Sequence, residues 1–160
     1  MTALPGCENP IGSTTEMTVW WAALLSADCS PSMSMMWLDR TGRMVGRVLC
    51  VTGVPLAPTR VVRRTLLDVH DAVVAKEPAA EGHLALALCR PGAAEISEAD
   101  DDWAEALDLD LEDRTDGAWS FHLSAGGWIT PVTEAQRWTW RRRGLRGDLL
   151  DAAVDLRRLT

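Results

Sequence analysis

The chain has no tyrosine, one phenylalanine and one lysine in 160 residues, and its four cysteines stand at 7, 29, 50 and 89 with no C-x-x-C spacing. Such scattered thiols offer neither a structural zinc site nor a redox pair, and they fit reduced cysteines in a cytosolic protein. No basic n-region opens the sequence. The longest apolar run near its start, Val19 to Leu25, is about a third of the ~20 residues that a bilayer span needs. The expectation is a cytoplasmic protein that is neither secreted nor membrane-spanning. Internal repeats and low-complexity tracts are absent as well, which excludes solenoid and array architectures.

The aromatic content rests on eight Trp, and the basic content on Arg. At 160 residues, 47% of them apolar and 24% charged, the chain suits one domain able to bury a core without disulfide or metal staples. Its net charge of −7 is unevenly spread. Glu98 to Asp116 holds ten acids and one base, whereas Glu134 to Thr160 holds seven Arg and four acids. The acidic middle argues against nucleic-acid binding by the whole domain and leaves a local anionic contact at the basic end. The plainer reading is two solvated faces.

Residues 1–15, with Pro5, Gly6, Pro10 and Gly12, have no apolar period and read as a loose arm. Glu16 to Ser26 suits a short helix or strand whose Trp20 and Trp21 enter the core. Ser32–Asp39 and Met44–Val51 are strand-like around the tight-turn sequence Asp39-Arg-Thr-Gly42, a β-hairpin. Pro58-Thr59 leads into a helix over Arg60–Lys76, with Val62, Leu66, Val69 and Val73 on one face. His83–Cys89 is a near-continuous apolar strand ending at Arg90-Pro91-Gly92, and Ser97 opens an acidic helix from Glu98 to about Leu107, with Ala99, Trp103 and Ala106 or Leu107 facing inward. Beyond it, Leu107-Asp-Leu-Asp-Leu111 alternates with a period of two, but helix is the preferred reading. Trp119–Leu123 and Trp128–Val132 flank a second hairpin turn at 124–127. Thr133 and Gln136 make a capping-box pattern, Gly144 a helix stop, and a last helix begins near Asp148.

This order of hairpin, helix, strand, helix and hairpin, with the motifs Leu38-Asp39-Arg40-Thr41-Gly42-Arg43, Arg90-Pro91-Gly92, Ser97-Glu-Ala-Asp100 and Trp119-Ser-Phe-His122-Leu-Ser-Ala-Gly126, resembles the JAB/MPN domain of bacterial RadC-like proteins over roughly 32–132. The resemblance implies an α/β fold: a single domain with a mixed central sheet flanked by helices in cytidine-deaminase-like layering. Residues 1–15 would be the arm, 16–132 the domain and 133–160 a C-terminal helical extension.

Catalytic members of that family bind zinc through a His-x-His pair at the end of the central strand and an Asp in a Ser-x-x-Asp motif, with an upstream Glu as general base. The resemblance places the two His positions on Leu88 and Arg90, and keeps Ser97 and Asp100. Leucine cannot ligate zinc and a guanidinium opposes a cation, while no Glu occurs from Asp39 through Thr65. A degenerate site is therefore expected, with no metal and no cofactor. Ser97 would become a helix N-cap, and Arg90 would pair with Asp100 or Asp101. Rescue of a metal site by Cys89, Asp100, His83 and His122 is disfavoured, because Cys89 faces away from Leu88 and His83 lies six residues upstream.

The run Asp108-x-Asp110-x-Glu112 fails as a calcium loop, since Asp113 stands where Gly is needed and Trp119 where Glu is needed. Trp138-Thr-Trp140 followed by Arg141, Arg142 and Arg143 mixes aromatic and basic residues as a single-strand-binding patch does. In a helix, however, the two Trp project about 200° apart, which favours a docked helix with a capped end. The functional expectation is a non-catalytic, protein-binding or scaffold domain, with homo-oligomers among its partners. The alternatives are a nucleic-acid-associated accessory protein using Arg141–Arg143 and, third, a metal-dependent hydrolase with a non-standard site.

Overall fold

Three seven-residue runs, each buried along its whole length, form the middle of the sheet. The computed structural model of the chain describes residues 9–25, 30–138 and 154–155. In chain order these give α1 (Thr14–Leu24), β1 (Ser32–Leu38), β2 (Met44–Thr52), α2 (Arg60–Lys76), a 3-10 turn (Pro78–Gly82), β3 (His83–Cys89), α3 (Glu98–Thr115), β4 (Trp119–Ala125), β5 (Trp128–Thr133) and the two-residue β6 (Val154–Asp155). The strand order is β2-β1-β3-β4-β5-β6. Among the described strands only β3 and β4 run parallel, across the α3 connection; the other neighbouring pairs are antiparallel. The protein is thus α/β with a mixed sheet, as expected, and no described helix is long and apolar enough to cross a membrane.

Side chains alternate across the pleat, so each strand feeds two cores. One face carries Met33, Met35 and Trp37 of β1, Leu84, Leu86 and Leu88 of β3, and Trp119, Phe121 and Leu123 of β4 against α2 and α3. The opposite face carries Met36, Leu38, Ala85, Ala87 and Ile129 against Met17, Trp20 and Trp21 of α1. Both adjacent Trp are core residues, as anticipated. The apolar face read for α2 packs on the sheet, while α3 contributes Trp103, Ala106, Leu107 and Leu111 and continues as helix through the alternating Leu107–Leu111 run. Ala99 is only half-buried; Asp100 is the buried residue of that turn.

Three boundaries differ from the sequence-based expectation. Residues 9–15 are not a loose arm where they are described: Ile11 is buried, its N–H donates to Gly42 O at 2.8 Å, and α1 already begins at Thr14 behind the Ser13 cap. Thr133 is not the cap of the following helix, because it pairs with Phe121 as the last residue of β5; the helical residues begin at Gln136. The C-terminal part is not a purely helical extension, since β6 pairs with β5, and it is not separate from the domain, since Ala135 and Trp138 are buried in the α1-side core. In each case a long-range contact overrides a local signal. The helix stop at Gly144 and the helix from Asp148 lie outside the described residues.

Candidate functional site

The strand-turn-helix unit from β3 to α3 positions all four residues singled out from the motif. Leu88 faces the α3 side of the sheet and is part of its apolar core. Two residues on, the chain leaves the strand at Arg90, turns at Gly92 with φ +102° and enters α3 through Ser97. Ser97 Oγ accepts from Asp100 N at 3.2 Å, and the Asp100 carboxylate accepts from Ser97 N at 2.8 Å, a reciprocal capping box.

Arg90 closes the turn. Its Nε donates to Asp100 Oδ1 at 2.8 Å and its Nη2 to Asp100 Oδ2 at 2.7 Å, a buried bidentate pair. Nη1 donates to the carbonyls of Pro91 and Ala93 at 3.1 and 2.9 Å, and Nη2 also to that of Glu95 at 2.9 Å. A guanidinium has five N–H donors, and these five bonds use them all. Burial pushes the Asp100 carboxyl up, but the Arg90 hydrogen bond, the Ser97 N–H and the nearby positive charge outweigh it and hold the carboxyl below its usual range. The hydrogen bond to Asp100 likewise raises Arg90. Both oxygens of Asp100 are thereby committed to this chain's own donors. The pairing expected for Arg90 and the capping role expected for Ser97 are both present.

The residues weighed for a rescued metal site are not brought together. His83 and His122 project toward α1, opposite to Leu88, and His83 is separated from Arg90 by nearly the length of β3, about 20 Å. His122 is fully buried, with Nε2 2.9 Å from Thr18 Oγ1. The Thr18 hydroxyl proton goes to Thr14 O at 2.8 Å, so Thr18 accepts and His122 donates from Nε2. Its Nδ1 has no hydrogen-bond partner among the described residues. His83 accepts from Arg137 Nη2 at Nδ1, 3.3 Å away, and therefore donates from Nε2 to Ser120 Oγ at 2.9 Å, while its ring stacks on Trp138. Burial lowers His122 to about 3 and, with Arg137 and His122 nearby, pushes His83 well below its usual value. Among the described residues no group of three or more His, Cys, Asp and Glu is placed to hold a metal ion.

Sequence reading missed this polar layer beneath α1. The signal was present in Trp119-Ser-Phe-His-Leu-Ser-Ala, where Ser120, His122 and Ser124 alternate with apolar residues, but such alternation ordinarily marks a strand with one wet face. It also missed the bond from Trp37 Nε1 to His70 Nδ1 at 3.0 Å. The run Asp108–Asp113 lies within α3, which removes any loop for calcium. Trp138 is buried and stacked inside the domain, so its ring is not offered to a nucleobase. Arg141, Arg142, Arg143 and Trp140 lie outside the described residues. No family model matches this chain, and neither a curated protein nor a solved structure matches it.

Proposed function

We propose that this chain is a catalytically inert JAB/MPN-like domain that serves as a binding or scaffold module. The observation that carries the reading is the Arg90 guanidinium, whose five donors are all used and two of which occupy Asp100, the one zinc-ligand position of the motif that the sequence retains. A cation at that turn would have to displace an internal positive charge and strip a buried carboxylate of its partners. The order hairpin, helix, strand, helix, hairpin, on which the resemblance rests, supports the assignment of type. The geometry of the turn is that of a structural clasp: it fixes the start of α3 against the end of β3 and leaves no group to activate water.

The test is elemental analysis of protein purified without a metal-affinity tag and dialysed against zinc. Zinc well below one equivalent is expected for the natural chain. For the double variant Leu88→His and Arg90→His, which restores the His-x-His pair beside a released Asp100, near-stoichiometric zinc is expected. Zinc bound by the natural chain at one equivalent would refute inertness, and a folded double variant that stays empty would refute the JAB/MPN equivalence of the turn.

A further inference from the structure

Strand β2 stands at one end of the sheet, paired with β1 along one edge and with nothing along the other among the described residues. It is nine residues long, and Met44 and Leu49 are exposed on it while Val45, Val48 and Val51 are half-buried. An edge of this length with apolar side chains is a template for an added strand unless something guards it. The ladder to β1 is interrupted between Met35 and Trp37, where Gly46 adopts φ +71° on the β2 side. Beside the edge, on the face covered by α2, lies an open groove of about 260 Å³. Trp37, Val45, Leu49 and Val73 give it an apolar lining, and Arg47 and Lys76 bring positive charge to it, with Glu77 its one acid among the described residues.

Charge decides what this edge fits. Residues 40–67 contain six Arg and no acid, on a chain of net charge −7. Arg63 and Arg64 are engaged by Asp110 and Asp68. Arg43 and Arg47 flank or lie on β2, exposed, and no ion pair involves them among the described residues. A second copy paired antiparallel about the middle of β2 would bring the two Arg47 side chains near one another on a seam that carries no acid, which like-charge repulsion disfavours. An extended segment bearing carboxylates meets no such penalty, and its alternate apolar side chains match the groove.

We infer that the outer edge of β2 and the groove between β2 and α2 dock an extended, acidic segment of a partner protein, which adds to the sheet as a further strand with an apolar side chain in the groove. This deepens the binding-module reading of the domain and rests on it. It involves neither Arg90 nor Asp100, so the zinc experiment and the docking experiment fail independently.

The test presents the immobilised full chain with a displayed library of random decapeptides, followed by synthesis of the selected peptides. Enrichment of sequences alternating Val or Ile with Asp or Glu is expected. Bound peptide should slow amide hydrogen exchange in residues 44–52, and its affinity should fall about tenfold or more in Arg43→Glu with Arg47→Glu and, separately, in Leu49→Lys. All three substitutions are at exposed positions, and an unchanged thermal midpoint checks that the fold persists. The inference is overturned by a library that yields no enrichment, by selected peptides free of acids, by protection away from β2, or by affinities that both variants leave unchanged. A natural chain that sediments as a dimer and is dissociated by Leu49→Lys would also overturn it, giving the edge to a second copy.

Discussion

At Arg90 a single side chain ties together the turn between β3 and α3. The carbonyls of Pro91, Ala93 and Glu95 converge on the guanidinium, and Asp100 supplies the countercharge. Removing one partner of a buried pair strands the other, whereas replacing both can be nearly neutral. Asp100→Ala is accordingly expected to cost about 3–5 kcal/mol in urea unfolding, and Arg90→Met combined with Asp100→Leu less than that single change. A single-site cost under about 1 kcal/mol would show that the clasp contributes little. The pairing was legible in the sequence, because ten residues and one turn separate the partners. The three carbonyl contacts were not, since no residue type announces the direction of a backbone oxygen.

Elements meet at glycines whose missing side chain is the condition of contact. Gly82 ends the 3-10 turn against the β1–β2 turn, and a Cβ there would lie 2.3 Å from Asp39 C and 2.5 Å from Arg40 N. The obstructing atoms are backbone, held by Asp39 Oδ1, which accepts from Thr41 N at 2.8 Å and from Arg43 N at 3.1 Å. Gly82→Ala should therefore destabilise by about 3 kcal/mol, read as a lowered denaturant midpoint, although its backbone φ is ordinary. A change of a few tenths would mean that the turn yields. The α2–α3 pair is joined differently, by a bidentate bond from Arg63 to Asp110 at 2.8 and 2.6 Å across partly exposed surface. The starts and caps of α2 and α3 were readable locally: Thr59 accepts from Val62 N and Ser97 from Asp100 N, as their positions before the helical runs indicate, whereas the Ser13 cap of α1 was not.

For the whole molecule, burial of histidine links folding to pH. His70, His83 and His122 are all lowered from 6.5 by burial, so each takes up its proton less readily when folded than when unfolded. The unfolded chain then binds more protons below about pH 6.5, and stability falls as pH drops through that value. Stability should be full above pH 7 and begin to decline near pH 6.5. His122 contributes a slope of about 1.4 kcal/mol per pH unit down to its folded value of about 3. The depressed Asp100 adds loss only at lower pH, as its unfolded carboxylate protonates. Unfolding free energies between pH 7.5 and 4.5 check this: His122→Gln should flatten the slope by about one proton, and an unchanged slope would place His122 in contact with solvent.

The hairpin strands, the limits of α2 and β3, the start of α3 and the turn at Asp39–Gly42 were determined by the sequence alone, because caps, apolar periods and turn residues act within a few positions of one another. Tertiary structure decided what covers each face. The polar side of β4 is dry because α1, 104 residues away at the Thr18–His122 contact, lies over it. Residues 9–13 are held because Ile11 finds Gly42, and β6 belongs to the sheet because β5 offers it an edge. These contacts join parts of the chain whose separation leaves no local pattern, and their free energy comes from burial that exists only once the layers have met.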